Sequence, residues 1–323
     1  MTSEQDIQEL QSRAAALADQ GRWAESSGLL EQAVELWDRD RGADSEQAAE
    51  CRSILAYNYR HQGRYQQARE LDSVVLTKRS ELLGNDHPDT AKSLNNLALD
   101  LKGLGHAADA LGLEHQALAI ISRVDGEDAP STLTSVHNLA NSYANVGRHR
   151  DAARLHERVV HTRTRVLGED HFETIMAMDL LGVDYRNMDE LDMALTWQQK
   201  AVNLAKAHLG ELHDTTIKCT INMATTCRVS GRPVQAIELL EATYRACQAS
   251  GREDTPLVIG LINGLAVAYC KAGRLGEAKP LLERCYDFNN RVLGANHPTT
   301  GISRDSLEWI LEQLGELQRA QIS

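Results

Sequence analysis

The sequence predicts an all-α fold, a right-handed α-solenoid or superhelix of antiparallel helix pairs. The first observation is that two glycine columns recur every 42 residues along the 323-residue chain. The second is that apolar residues between these glycines recur at spacings of three and four, as on one face of an α-helix. A fixed period of this size is typical of helical units that stack and share one continuous core.

The first glycine column marks the turn inside each helix pair. Glycine adopts a positive φ without strain, so it can end one helix and begin a tight return of the chain. Asp189 interrupts the column, but Asp tolerates the left-handed conformation better than most residues. Five residues after each turn comes a small residue, mostly Ala, which permits close helix packing. The column consists of Gly21, Gly63, Gly105, Gly147, Asp189, Gly231, Gly273 and Gly315.

The second glycine column opens the loop between consecutive repeats, as in the stretch LGNDHPDT that starts at Leu83. A threonine closes each such loop where the next helix needs an N-cap. These threonines are Thr90, Thr132, Thr174, Thr216 and Thr300. Each repeat is therefore predicted to contain two antiparallel helices of about four turns.

The repeats resemble the tetratricopeptide repeat, in which a small residue, Tyr, Gly and Ala follow one another in this order. The 42-residue period, the LGxxHPxT loop and the NNLA sequence at 95–98 resemble the kinesin-light-chain type, as does EAKPL at 277–281. The resemblance implies a stack whose first helices line a concave groove and whose second helices lie on the convex side. It also implies a role in binding proteins, without identifying the partner.

The repeat spacing divides the chain into a single solenoid domain with a cap at each end. Residues 1–45 are predicted to form a degenerate capping repeat, because Arg13 stands where an apolar residue belongs. Residues 301–323 are predicted to form a C-terminal capping helix. The six units between them are 46–90, 91–132, 133–174, 175–216, 217–258 and 259–300.

Composition excludes several classes of partner. The formal net charge of -12 argues against binding to nucleic acid or to an anionic membrane surface. The sequence has neither a signal-peptide pattern nor an apolar run of the roughly 18 residues that a membrane span needs. We therefore expect a cytoplasmic protein whose six cysteines are reduced thiols in the helix core.

Four loop histidines suggest a metal site, and spacing argues against it. They are His87, His171, His213 and His297. Stacked helices lie about 10 Å apart, whereas a zinc ion holds its ligands at about 2 Å. We expect these histidines to order the loops, and we predict neither a metal nor a cofactor. There is also no GxxxxGK[ST] phosphate-binding loop.

Repeated asparagines on the first helices predict a peptide-binding groove. A carboxamide carries a donor and an acceptor, so it can pair with an extended peptide backbone whatever the side chains of that peptide are. The alternative is that these asparagines are only solvated or bonded within their own helix. The predicted groove residues are Arg60, Asn95, Asn96, Lys102, His137, Asn138, Asn141, Asn145, Arg186, Asn222, Arg228, Asn263 and Lys271.

Basic residues recur three positions before the turn and favour an acidic peptide. They are Arg60, Lys102, Arg186 and Arg228. Exposed ion pairs contribute only about 0.2–1 kcal/mol each, so such a stripe would set preference and association rate more than affinity. The alternative is that these charges only keep the groove hydrated.

The sequence thus favours a non-enzymatic scaffold or adaptor that binds an extended, acidic peptide or protein segment. A second hypothesis is a regulatory or sensor protein that binds a folded partner or a second copy of itself. A third is an enzyme with a pocket in the bore of the superhelix. Its first candidates would be Asp179, Arg186 and His137, but we expect no enzymatic activity.

Overall fold

The computed structural model describes residues 4–40, 45–295 and 297–315 of the chain. These residues contain fifteen α-helices and no β-strand. The predicted all-α repeat array is therefore confirmed. Contacts between Cα atoms divide the chain into two compact units, residues 1–155 and 156–323, called here the N-terminal and C-terminal units.

Consecutive helices pair along the chain, and the first helix of each pair follows an inter-repeat loop. In the N-terminal unit they are α1 (Glu4–Asp19), α2 (Trp23–Asp40), α3 (Glu46–His61), α4 (Tyr65–Leu83), α5 (Pro88–Gly103), α6 (Ala107–Asp125) and α7 (Pro130–Asn145). Helix α8 (His149–Leu167) begins in this unit and ends in the next. The C-terminal unit continues with α9 (Phe172–Asn187), α10 (Leu191–Leu209), α11 (Asp214–Val229), α12 (Pro233–Ala249), α13 (Pro256–Lys271), α14 (Leu275–Leu293) and α15 (Pro298–Gln313).

The turns inside the pairs have the predicted conformation. Gly105 has a φ of 82°, and the other glycines of its column are also positive. Asp189, with a φ of 64°, is the only positive-φ residue other than glycine in the described part of the chain. A left-handed residue here ends the first helix and aims the second back along it.

A small residue at one position in the second helix of each pair brings the helices of the array close together. The side chain five residues after each turn is fully buried, and alanine there leaves no rotamer entropy to lose. These residues are Ser26, Ala68, Ala110, Ala152, Ala194, Ala236 and Ala278. Large apolar side chains fill the remaining space, for example Leu139 in the N-terminal unit and Leu181 in the C-terminal unit. The six cysteines are free thiols, five of them buried, as expected.

The predicted N-caps were wrong by three residues. The N-cap of α5 is His87, whose Nδ1 accepts a hydrogen bond from the Asp89 N–H at 3.1 Å. His171, His213 and His297 cap their helices in the same way. Thr90 lies inside the first turn, where its hydroxyl donates to the Gly84 carbonyl at 2.8 Å and closes the loop. A hydroxyl can serve either role, so the sequence alone did not separate them.

Candidate functional site

The predicted groove residues lie on the first helices of the repeats, at the positions defined here as the groove stripe: 13, 10, 9, 6, 3 and 2 residues before each turn. In the N-terminal unit the stripe includes Arg60 on α3, Asn95, Asn96 and Lys102 on α5, and His137, Asn138, Asn141 and Asn145 on α7. In the C-terminal unit it includes Arg186 on α9, Asn222 and Arg228 on α11, and Asn263 and Lys271 on α13.

Two of the groove asparagines join neighbouring first helices. Asn96 Nδ2 donates to Ser53 Oγ at 3.3 Å, which links α5 to α3. Asn222 Nδ2 donates to Asp179 Oδ2 at 2.6 Å, which links α11 to α9. In both pairs the donor asparagine stands nine residues before the turn of its own repeat. The acceptor stands ten residues before the turn of the preceding repeat. These two amides therefore set the spacing of the first helices.

The remaining groove asparagines are available at the surface. Asn95, Asn138 and Asn141 are partly exposed, and Asn145 and Asn263 are exposed. Their carboxamides have no hydrogen-bond partner among the described residues. His137 is also partly exposed, beside Asn138 on α7. An unpaired carboxamide retains both its donor and its acceptor for an incoming chain.

Arg60 does not face the groove as a free cation. Its guanidinium bonds Asp72 on α4 and reaches Asp100 Oδ1 on α5 at 3.1 Å. The arginine side chain is 11% exposed, and both carboxylates are fully buried. One cation thus contacts two buried acids at the junction of three helices.

Burial perturbs both of these carboxyl groups. Desolvation raises the pKa of Asp100 to about 7, against the pull of Arg60 and with a further rise from the charge of Asp72. Burial also raises the pKa of Asp72. Oδ1 of Asp72 and Oδ2 of Asp100 are buried without a hydrogen-bond partner in the described part of the chain. The cluster is consequently sensitive to the loss of Arg60.

Lys102 repeats this arrangement one unit further along. Its Nζ lies 2.7 Å from Glu114 Oε1 on α6 and 3.0 Å from Ser142 Oγ on α7. The Ser142 hydroxyl donates to the same glutamate oxygen at 2.8 Å. We call this recurring set of three residues the buried polar ladder. The first residue stands three positions before a turn, the second stands nine positions after the same turn, and the third stands five positions before the next turn.

The ladder changes chemistry in the C-terminal unit. His156 Nδ1 and Asp184 Oδ2 lie 2.6 Å apart, both residues being buried, in the second and third places of the set. Arg186 Nη1 makes only long contacts, 3.5 Å to Thr226 Oγ1 and 3.4 Å to the Asn222 carbonyl. Burial lowers the pKa of this guanidinium. Arg186 is thus desolvated without a direct contact to any described carboxylate.

Arg228 and Lys271 are the groove cations that differ most from Arg60. Arg228 is partly exposed and Lys271 is exposed. Neither has an ion-pair or hydrogen-bond partner among the residues that the structure describes. Leu240 stands nine residues after the turn that follows Arg228, where Arg60 has Asp72. Free positive charge on the groove stripe is therefore found in the C-terminal unit.

Asp179 is the buried carboxyl group with a raised pKa that the enzyme hypothesis requires. It is 5% exposed and lines a cavity of about 190 Å³ between α9 and α11, together with Lys218 and Asn222. Burial raises its pKa to about 7, opposed by the Asn222 hydrogen bond and Arg186. Its Oδ1 has less than 1 Å² of accessible surface, so the oxygen without a partner is not presented to solvent. Within the described residues no group of three metal-ligating side chains occurs.

Aromatic rings mark the groove stripe near the start of the N-terminal unit. The Trp23 and His61 rings stack at 4.1 Å with an 8° interplanar angle, and Tyr57 meets His61 edge-on at 4.5 Å. Tyr57 remains exposed. The pairing of Trp23 with His61 fills the surface that an incoming ring would need, so this cluster is packing between two repeats.

Sequence reasoning missed the buried polar ladder because its partners are 12 to 40 residues apart along the chain. A signal was nevertheless present in the column nine residues after the turn. That column reads Leu30, Asp72, Glu114, His156, Gln198, Leu240 and Leu282. Polar residues in a column that is leucine at both ends indicate buried polar pairs in the middle repeats.

Fifteen helices and left-handed turns at a fixed spacing define, in the described part of the chain, a helical repeat protein. The family model for the tetratricopeptide repeat matches residues 6–79, 53–123, 131–207, 173–249 and 257–322. The chain belongs to the tetratricopeptide repeat family. No curated protein sequence matches it. Among the described residues, no helix is both long and apolar enough to cross a membrane.

Solved structures of repeat proteins share this fold. A putative kinesin light chain from Podosopora anserina, with nearly identical TPR-like repeats, is 25% identical with a TM-score of 0.56, over 64% of this chain and 98% of that one. The apo form of the quorum sensor NprR from B. thuringiensis is 14% identical with a TM-score of 0.69, over 98% and 84%. A Rap protein complexed with Competence and Sporulation Factor is 13% identical with a TM-score of 0.52, over 97% and 99%. The kinesin-light-chain resemblance of the sequence is thereby confirmed.

Proposed function

We propose that this chain is a non-enzymatic scaffold that binds an extended peptide segment along the groove stripe of its first helices. The observation that carries the proposal is the set of groove asparagines whose carboxamides bond no described residue: Asn95, Asn138, Asn141 and Asn145 in the N-terminal unit and Asn263 in the C-terminal unit. Such amides suit an extended main chain, each residue of which carries a donor and an acceptor.

A preference for acidic segments has its support in the C-terminal unit. Arg228 and Lys271 carry positive charge that no described residue neutralises, whereas Arg60 and Lys102 are held by buried carboxylates. We propose that acidic side chains of the bound segment lie against the first two residues. The fold agrees with this kind of function, since a Rap protein of the same fold is complexed with Competence and Sporulation Factor.

The test is selection of peptides from a random displayed library, followed by titration of synthetic peptides against purified variants. Asn138→Ala/Asn141→Ala removes two groove amides that bond no described residue, so affinity should fall about tenfold or more while the thermal melt stays unchanged. Asn203→Ala, an exposed asparagine on α10, is the matched control and should bind like the wild type. Equal affinity for all three proteins would move the binding site away from the groove.

A regulatory role through a folded partner or a second copy has one observation in its favour. Apolar residues nineteen positions after the turn, at the ends of second helices, are left exposed: Leu82, Val124, Val166 and Val292. An apolar patch of this kind is a common docking surface. Light scattering of the wild type and of Leu82→Ser/Val124→Ser distinguishes the possibilities. A dimer that the double substitution dissociates would favour self-association, and a monomer in both would exclude it.

A further inference from the structure

A large apolar cavity lies on the groove stripe between α13 and α15. Its volume is about 430 Å³, within the range of roughly 300–1,000 Å³ that is usual for ligand sites. Val267, Cys270 and Lys271 line one wall, and residues of α15 line the other. Leu282 of α14 belongs to the lining as well.

A second apolar cavity adjoins the first at Ile302. It measures about 280 Å³ and lies between the first halves of α13 and α15, with Ile259 and Phe288 in its lining. Ile302 lines both cavities, so the two are neighbours along α13 and α15, and together they are called the cleft here. The cleft therefore offers two apolar sites in a row.

The cleft is open because α15 packs on α14 and not closely on α13, whereas α13 packs on α11 as well as on α14. As a result, Ile302 is 68% exposed and Trp309 is 47% exposed, although both point apolar surface toward the groove. An isoleucine and a tryptophan exposed two turns apart on one face of a helix, around a concave site, are typical of an interaction surface.

One positive and one negative side chain line the larger cavity, Lys271 and Asp305. Arg304 lies 3.7 Å from Asp305 and partly offsets its charge, while Glu312 adds a negative charge on the same stripe of α15. Lys271 is exposed and has no ion-pair partner among the described residues. Its ammonium group complements a carboxylate next to an apolar side chain of a bound segment.

We propose that this cleft is the anchor site of the bound segment, taking two bulky apolar side chains of an extended peptide with a carboxylate beside Lys271. The inference rests on the proposed function and names the part of the groove that dominates affinity. Interfaces gain most of their affinity from a few apolar anchors in well-formed pockets, with polar contacts around them. Asn263, which lines the smaller cavity, would then hold the main chain, and the apolar lining of the cleft would select the sequence.

The experiment uses the full chain and peptides selected from a random displayed library. The selected sequences are expected to contain two bulky apolar residues with an acidic neighbour. Ile302→Ser and Trp309→Ser change exposed side chains and should each lower affinity about tenfold or more. Lys271→Ala should lower it about threefold in low salt and have little effect in high salt. Val234→Ser, 63% exposed on α12, is the matched control and should bind like the wild type.

The outcomes separate the two proposals. Peptides that bind Ile302→Ser and Trp309→Ser like the wild type, but lose affinity with Asn138→Ala/Asn141→Ala, would overturn the cleft and leave the groove function standing. A library that yields no binding peptide would overturn both. A thermal melt of each variant shows whether a lost affinity reflects unfolding, and a variant that melts early is replaced by Ile302→Val or Trp309→Phe, which should bind within about threefold of the wild type.

Two further measurements test whether the cleft is occupied by the last eight residues of the chain or by a second copy of it. A chain ending at Gly315 that binds the peptides tenfold more tightly than the full chain would assign the cleft to the last eight residues instead. A wild-type dimer that Trp309→Ser converts to a monomer would assign it to a second copy. The expected result is equal affinity for the shortened chain and no change of mass in light scattering.

Discussion

The two units use the same repeat position in different ways. In the N-terminal unit, Arg60 and Lys102 lie among buried acids, and each closes a junction between helices. In the C-terminal unit, Arg228 holds the equivalent position without such a partner among the described residues. The residue itself does not determine whether the column serves packing or recognition. For Arg60 and Arg228 the difference lies nine residues after the turn, because Asp72 forms an ion pair with the first cation and Leu240 offers the second no charged partner.

The largest effect is expected from Arg60→Ala, which leaves Asp72 and Asp100 buried without a counter-charge. Removing one partner of a buried ion pair costs about 3–5 kcal/mol, and protonation of Asp100 near neutral pH brings this toward the lower end. Urea unfolding followed by circular dichroism measures the change. Arg228→Ala is the matched control, with an expected change below about 0.5 kcal/mol. Equal losses in the two variants would refute the distinction between the units.

Asp179→Asn should stabilise the protein above neutral pH. The pKa of Asp179 is raised to about 7, against an ordinary value near 3.9, so the folded state binds the proton more tightly than the unfolded state. Its contribution to the unfolding free energy is therefore complete below about pH 4 and is lost as the pH rises to about 7.

Replacing the carboxyl by an amide removes that loss and keeps an acceptor for Asn222. We expect a gain of about 2 kcal/mol at pH 8 and little difference at pH 4, measured from urea midpoints at both values. Asp192→Asn, at a 98% exposed position, is the control and should change neither midpoint. A gain of the same size at both pH values would exclude the titration of Asp179 as its cause.

Removing positive charge from the groove stripe of the C-terminal unit should have a smaller effect, on peptide affinity. Arg228→Ala/Lys271→Ala should weaken binding of acidic peptides about threefold to tenfold at low salt, since each exposed pair contributes about 0.2–1 kcal/mol. Fluorescence anisotropy at two salt concentrations measures it. Lys92, on the groove stripe of α5, already pairs with Asp89 at 2.7 Å, so Lys92→Ala is the control. Similar weakening by the control would mean that net charge alone governs the binding.

The smallest effects concern the helix caps. His213→Ala removes the side chain that accepts from the Thr215 N–H, and should cost about 0.5–1 kcal/mol. Helix α7 has Ala129 at its N-cap, with no capping side chain, so Ala129→Asp should gain a similar amount. Thermal melts of both variants test this pair of predictions. A loss from Ala129→Asp would show that the loop before α7 cannot place a capping side chain.

The architecture was predictable because local rules determine it. The glycine at each turn requires a positive φ, and the alanine five residues later sits where two helices approach most closely, so Gly105 and Ala110 could be assigned from spacing alone. The N-caps were misplaced because histidine and threonine both bond the backbone of the same loop. Either side chain could have been the N-cap, and only the structure shows that it is the histidine.

The surface was less predictable, because it depends on contacts between distant parts of the chain. Arg60 and Arg228 look equivalent in the sequence, and their partners, not their position, make them different. The cleft between α13 and α15 depends on how far apart two helices lie, which no residue spacing encodes. The groove asparagines were predictable in part. Their position on the first helices follows from periodicity, but which of them form hydrogen bonds with a neighbouring helix does not.

The buried polar ladder also bears on the order in which repeats associate. Repeats that share the same glycines and alanines could dock on the wrong neighbour during folding, a known hazard of repeat proteins. If α7 docked on α4 in place of α5, Arg60 and Asp72 would meet Ser142 instead of Asp100. The partners at the junctions that contain Arg60, Lys102 and His156 differ, so each of these three junctions has its own polar chemistry. In the last repeats the same column is leucine, and correct order there depends on the covalent connection and the apolar packing.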